Sequence, residues 1–107
     1  MSRFALFATV TAKPGQRDAL LQVLLEASRQ PMSGCEMYVV NLSPTNENAV
    51  FVYEVWRSEA DHDVSLHLES VKALVLRSRP LVASFERVKL QPIGGRGLPG
   101  DISKVNS

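Results

Sequence analysis

Three side chains that could carry chemistry stand near one another in the chain: Glu54, Trp56 and His67. A carboxylate and an imidazole are the usual groups for moving a proton near neutral pH. An indole adds a flat apolar face and one N–H donor. Glu54 and Trp56 lie two residues apart in Phe51-Val52-Tyr53-Glu54-Val55-Trp56, an aromatic and β-branched run that reads as a strand; strand alternation puts them on one face. His67 falls on the apolar stripe of the helix that follows, three residues after Val64. His62 falls nearly opposite and is expected in solvent. Glu54, Trp56 and His67 are therefore the candidates for one catalytic cavity, in which a buried carboxylate must be paired or protonated.

Each has a plainer reading. His67 serves equally as a core histidine bonded to a backbone carbonyl, and Glu54 as the partner of Arg87 or Lys89. Trp56 serves as a core aromatic whose N–H caps a loop. Cys35 is the single cysteine; it forms no disulfide within the chain and reads as a small buried hydrophobe. No metal site is expected, because His62 and His67 lie five residues apart on opposite helix faces. No flavin or nicotinamide fingerprint is present. Gly94-Gly95-Arg96-Gly97 follows the last strand and opens no helix, unlike a nucleotide loop.

The elements that must position these groups are legible from periodicity. At 107 residues, 45% hydrophobic and 21% charged, the chain has the length and composition of one globular domain. Phe4 to Ala12 alternates as a first strand, and Lys13-Pro14-Gly15 stops it. Ala19, Leu20, Val23, Leu24 and Ala27 mark one stripe of a helix over 16–29, which Pro31 ends. Cys35 to Leu42 alternates as a second strand, with Cys35, Met37 and Val39 against Glu36, Tyr38 and Val40. The turn formers 43–48 connect it to a third strand, Ala49 to Trp56. Ser58 is placed to cap a second helix, with Glu59 and Asp61 in its first turn. Its stripe is Ala60, Val64, Leu68, Val71, Leu74 and Val75, with a break or kink near Glu69-Ser70. Ser84 to Pro92 reads as a fourth strand. The domain is assigned to residues 1–92, and the Gly/Pro-rich residues 93–107 to a flexible tail.

The order β-α-β-β-α-β specifies an α+β, ferredoxin-like fold: a four-stranded antiparallel sheet with its helices on one face. Helices on one face leave the other bare, yet strands 1 to 3 are apolar on both. Phe51, Tyr53 and Val55 alternate with Val50, Val52 and Trp56. The simplest cover is a second copy of the sheet, so a homodimer through sheet faces is expected.

The charge balance restricts partners. A net charge of +1 with scattered basic residues offers no footprint for nucleic acid or an anionic membrane. No apolar run reaches the roughly 18 residues of a membrane span. Met1-Ser2-Arg3 leads straight into a strand with no secretory signal, and one cysteine suits a reducing compartment, so a cytoplasmic protein is expected.

Ser33-Gly34-Cys35-Glu36-Met37-Tyr38, then Phe51 to Ala60 with Glu54-Val55-Trp56-Arg57-Ser58-Glu59-Ala60, then His67-Leu68-Glu69-Ser70, resembles the antibiotic biosynthesis monooxygenase domain family. The likeness covers about residues 4 to 92. It implies a dimeric ferredoxin-like α+β barrel. Family members include quinol monooxygenases and oxygenases of polycyclic aromatic intermediates that use no metal, flavin or haem cofactor; others degrade haem or isomerise small molecules. It also implies roles: His67 assists proton transfer, Trp56 packs on the ring and orients oxygen or a carbonyl, and Glu54 orients His67. Val52, Asn41, Val64 and Val71 are the expected substrate contacts.

Two departures qualify the likeness. Haem-degrading relatives carry an asparagine where this chain has Phe7-Ala8-Thr9, which argues against haem as substrate. The aromatic-polyketide oxygenases carry an asparagine at the place of Val52. The expected activity is thus oxidation of a quinol-like or polycyclic phenolic substrate by O2, with no cofactor. The alternatives are a non-catalytic dimeric protein that binds a small ligand, and a cofactor-free isomerase using His67.

Overall fold

The first three strands fall where alternation places them, and the fourth begins and ends two residues earlier than expected. A computed structural model describes residues 2–97, with four strands: β1 (Phe4–Ala12), β2 (Cys35–Leu42), β3 (Ala49–Trp56) and β4 (Val82–Leu90). They form one antiparallel sheet in the order β2-β3-β1-β4. Helix α1 (Arg17–Ser28) connects β1 to β2. Two short helices, α2 (Glu59–Ser65) and α3 (Glu69–Ser78), followed by a 3₁₀ turn at Arg79–Leu81, connect β3 to β4. This is the ferredoxin-like α+β arrangement with an open sheet. Among the described residues no helix is long and apolar enough to cross a membrane. The expected tail falls largely on residues 98–107, outside the described residues.

Register sorts the side chains onto two faces. Leu6 sits opposite Glu54, Ala8 opposite Val52 and Val10 opposite Val50; on the other side of β3, Tyr38 sits opposite Glu54 and Val40 opposite Val52. These residues look toward the helices. Ala8, Val10, Ala12, Val50 and Val52 pack with Leu20 of α1 into one core cluster; Phe4, Leu6 and Trp56 form a second. Ala19, expected on the α1 stripe, stays exposed. The register shifts between Cys35 and Met37, and this bulge turns Cys35 inward to pack on the Phe4, Leu6 and Trp56 cluster instead of leaving it beside Met37 and Val39.

The outer face carries Phe7 stacked on Phe51, with ring centroids 5.8 Å apart. Phe7, Val39 and Val88 are exposed there, and Tyr53 is half-buried. Val55, expected on the dimer surface, is already fully buried within the chain.

The region after β3 departs from the sequence reading. The break expected near Glu69-Ser70 is complete and comes slightly earlier, at residues 66–68, so one helix becomes two. The apolar stripe does not run through both. Val71 and Leu74 of α3 are buried, but Ala60 and Val64 of α2 are exposed, and the buried residues of α2 are His62 and Ser65. Three non-helical residues reset the helical phase, so the periodicity of α3 carries no information about α2.

What orients α2 is its N-terminus. Ser58 Oγ accepts the Asp61 N–H at 3.1 Å. The Arg57 guanidinium lies 3.6 Å from the Asp61 carboxylate, and the Arg57 N–H donates to the Gly34 carbonyl at 2.9 Å. Asp61 thus sits over Gly34, and the next residue, His62, turns in against Phe4 and Trp56. Gly34 has φ of +89°, and a Cβ there would strike the Asp61 side chain, including its Cβ and Cγ at 2.7 Å. Gly34→Ala is expected to cost about 1–3 kcal/mol of stability in urea denaturation. Adding Asp61→Ala removes the carboxylate but keeps the Cβ at 2.7 Å and leaves the backbone conformation as it is, so it should restore only part of the loss.

Candidate functional site

Between the sheet and helices α1 and α3 lies a cavity of about 490 Å³, within the usual range for a small-molecule site. Leu6, Val52, Leu20, Val23, Val71 and Leu74 make most of its wall apolar. Into this wall the sheet delivers Tyr38 from β2, Glu54 and Trp56 from β3, and Arg87 from β4, while α2 adds His62 and Ser65.

Glu54 is held by its neighbour on the same face. The Trp56 indole N–H donates to Glu54 Oε1 at 2.9 Å, and Trp56 itself is 1% exposed. The indole N–H is therefore committed to the carboxylate and caps no loop. Burial pushes the Glu54 carboxyl above the ordinary carboxylate range; the Trp56 hydrogen bond, then the His62 and Arg87 charges, pull part of the way back. Neither expected ion pair forms directly. Arg87 stands two strands away in the cavity wall, and Lys89 pairs with Glu59 at 2.8 Å. Burial and then the Glu54 charge push the Tyr38 phenol up as well, so it is a neutral donor or acceptor. The Cys35 thiol is raised to about 11, by burial first and the Glu54 charge second, which keeps it protonated.

His62 occupies the place expected for His67. It is 6% exposed and lies edge-on to Trp56 at 5.3 Å and tilted on Phe4 at 5.5 Å between ring centroids. Its Nδ1 has no hydrogen-bond partner, the nearest carboxylate being Asp63 at 3.6 Å. A buried nitrogen without a hydrogen-bond partner is uncommon.

The other expected site residues divide cleanly. Val52 and Val71 line the cavity beside Glu54 and Trp56. His67 does not: it is exposed in the turn between α2 and α3, its backbone N–H donating to the Val64 carbonyl at 3.0 Å. Val64 is 63% exposed on α2; both placements failed because the α3 periodicity was extended across the break. Asn41 pairs with Phe51 on the outer face, where its amide donates to the Phe51 and Val39 carbonyls. The sequence reading missed Tyr38 and His62 as cavity groups. The hairpin register would have found Tyr38, which sits directly opposite Glu54. Among the described residues no group of three His, Cys, Asp or Glu could hold a metal ion.

Glu54 also sets a pH dependence of stability. Its carboxyl titrates higher in the folded chain than the ordinary 4.5, so above that pH the folded state binds more protons than the unfolded one. Stability from this group is complete below about pH 4.5 and declines as pH rises through the folded value. Glu54→Gln keeps an acceptor for Trp56 and has no proton to lose. Its denaturation midpoint should gain on the parent as pH rises from about 4.5 to neutrality; a difference constant across that range would show that the carboxyl is not perturbed.

The family model for antibiotic biosynthesis monooxygenase matches residues 3–76, more than half of the chain. A candidate antibiotic biosynthesis monooxygenase from Chloroflexus aurantiacus is 39% identical, with 92% of this chain and 100% of that one covered and a TM-score of 0.86. A Pseudomonas aeruginosa protein at 22% identity (88% and 97% covered, TM-score 0.78) and a candidate antibiotic biosynthesis monooxygenase from Caulobacter crescentus at 20% (87% and 92%, TM-score 0.81) share the fold. No match was found among curated proteins.

Proposed function

The chain belongs to the antibiotic biosynthesis monooxygenase family, and from that premise we propose that its cavity oxidises an electron-rich phenol or quinol with O2. The observation that carries this reading is Glu54, a carboxylate in an apolar cavity, fixed by an indole N–H and raised by burial. A phenol gives electrons to O2 far more readily once it has lost its proton. A carboxylate raised above its ordinary range is better matched to that proton than an exposed one.

The stoichiometry needs no reductant other than the substrate. A quinol plus O2 gives a hydroxyquinone plus water: one oxygen atom enters the ring, the other leaves as water, and the ring supplies all four electrons. In this reading no cofactor takes part. Glu54 accepts the phenolic proton, Trp56 holds Glu54 and presents its face to the ring, and His62 stands at the edge of that indole, next to the reacting ring. Val52 and Val71 contact the substrate and exclude water. His67, Val64 and Asn41 take no part.

Oxygen uptake with a panel of reduced naphthoquinones tests this. Glu54→Gln should lower turnover about 10²–10⁴-fold, His62→Ala should lower it, and His67→Ala should leave it within about twofold. Loss with His67→Ala and none with His62→Ala would return the role to His67. Ligand binding with no oxygen uptake would leave a binding protein instead.

The outer sheet face supports a second proposal, a homodimer with sheets packed face to face. Phe7 and Phe51 stack there, and Phe7, Val39 and Val88 are 39%, 42% and 56% exposed. An apolar sheet surface of this kind is seldom left to water. Sedimentation equilibrium at micromolar concentration should give twice the chain mass, and Phe7→Asp should return it to the monomer value. A monomeric parent chain would sink the proposal.

A further inference from the structure

The cavity wall is apolar on most sides and cationic on one. The 3₁₀ turn and β4, which close that side, contribute Arg79 and Arg87. Both residues are exposed, and among the described residues neither guanidinium has an ion-pair or hydrogen-bond partner. The cations that flank them in sequence without lining the cavity are matched: Arg77 with Glu26 at 3.1 Å and Lys89 with Glu59 at 2.8 Å. Along residues 77–89 the basic side chains outside the cavity are neutralised and those lining it are not.

A ligand that fills this space strips water from whatever lines it. A wholly apolar ligand would strip water from the side of Arg87 that faces the cavity, a cost that an anion in the water's place offsets. Arginine's planar fork suits a carboxylate, which it can hold through two parallel hydrogen bonds. Glu54 feels the Arg87 charge, but no direct pair joins the two, so the donors of the guanidinium stay open. The two stand on β3 and β4 with β1 between them, and they are offset along the strands, Glu54 opposite Leu6 and Arg87 opposite Ala8.

We propose that the substrate is an aromatic acid: a fused ring system fills the cavity, a carboxylate meets Arg87 with Arg79 as a second cation, and the phenolic hydroxyl sits at the opposite end against Glu54. Acid and hydroxyl then lie at opposite ends of the ring system, as the placement of Arg87 on β4 and Glu54 on β3 requires. The inference rests on the proposed function only in taking this cavity as the substrate site.

The test is binding, measured without oxygen chemistry. Naphthalene-2-carboxylate and its neutral isostere naphthalene-2-carboxamide are titrated into the full chain by calorimetry. Trp56, the only tryptophan, reports occupancy of the cavity through its emission. The carboxylate should bind at least about tenfold tighter than the amide, a difference of about 1.4 kcal/mol. The preference should fall within about twofold in Arg87→Gln and vanish in the Arg79→Gln/Arg87→Gln double variant. Equal affinities in the parent chain, a preference undiminished in the double variant, or failure of both probes to bind would each overturn the proposal. The comparison within the parent chain stands even where a variant folds poorly. A preserved preference with no quinol turnover would remove the oxygenase reading and leave the aromatic-acid site in place.

Discussion

The hydrogen bond from the Trp56 indole to Glu54 is the constraint on which the rest of the site depends. A carboxylate taken into an apolar cavity needs a donor, and here the donor comes from two residues along the same strand, at 2.9 Å. That economy requires both side chains on one face of β3, which alternation guarantees, and an indole that cannot turn away. Phe4 and Leu6 of β1 and the edge-on ring of His62 hold it in place. The same burial that fixes the indole raises the carboxyl, so packing and acidity have one cause. Deleting the indole would loosen the core and leave the acid without its donor at once.

Much of this was legible in the sequence, and the reason is alternation. The period of two fixes which of Val50, Val52, Glu54 and Trp56 share a face, whatever the rest of the chain does. It could not show that the Trp56 N–H reaches Glu54, which depends on the rotamers of the two side chains, or that Tyr38 sits opposite, which depends on register between strands. The helix after β3 was less legible. Its apolar residues suggest a single stripe, but the chain breaks at 66–68 and α2 takes its orientation from its Ser58 cap together with a contact far apart in sequence, Asp61 over Gly34. Periodicity read across a break transfers phase that no longer exists, and so His67 was placed where His62 stands. Asn41 failed for a related reason. A polar residue near a strand end looks like part of a pocket until its partner, Phe51, is known.

The bulge at Cys35 shows the same limit on a smaller scale. One register shift moves the thiol from the outer face to the core, and nothing in the alternating pattern of β2 announces it. The shift lies at the strand end nearest Gly34, where the chain has just left a positive-φ glycine to meet Asp61 and the Arg57 N–H. It therefore lets β2 begin beneath α2 without disturbing the pairing of Tyr38 with Glu54 further along. The irregularity is confined to where α2 must be accommodated.

The two faces of the sheet are bound together by the pleat. Sliding β3 by one residue against β1 would send Glu54 to the outer face and bring Tyr53 into the cavity. The register that stacks Phe51 on Phe7 outside is the one that sets Glu54 opposite Leu6 and Tyr38 inside. Whatever packs on the outer face therefore also holds the register of the site, although it never touches the cavity. An apolar outer face and a half-buried acid facing the helices are consequences of one pairing pattern, and a slip in that pattern would undo both.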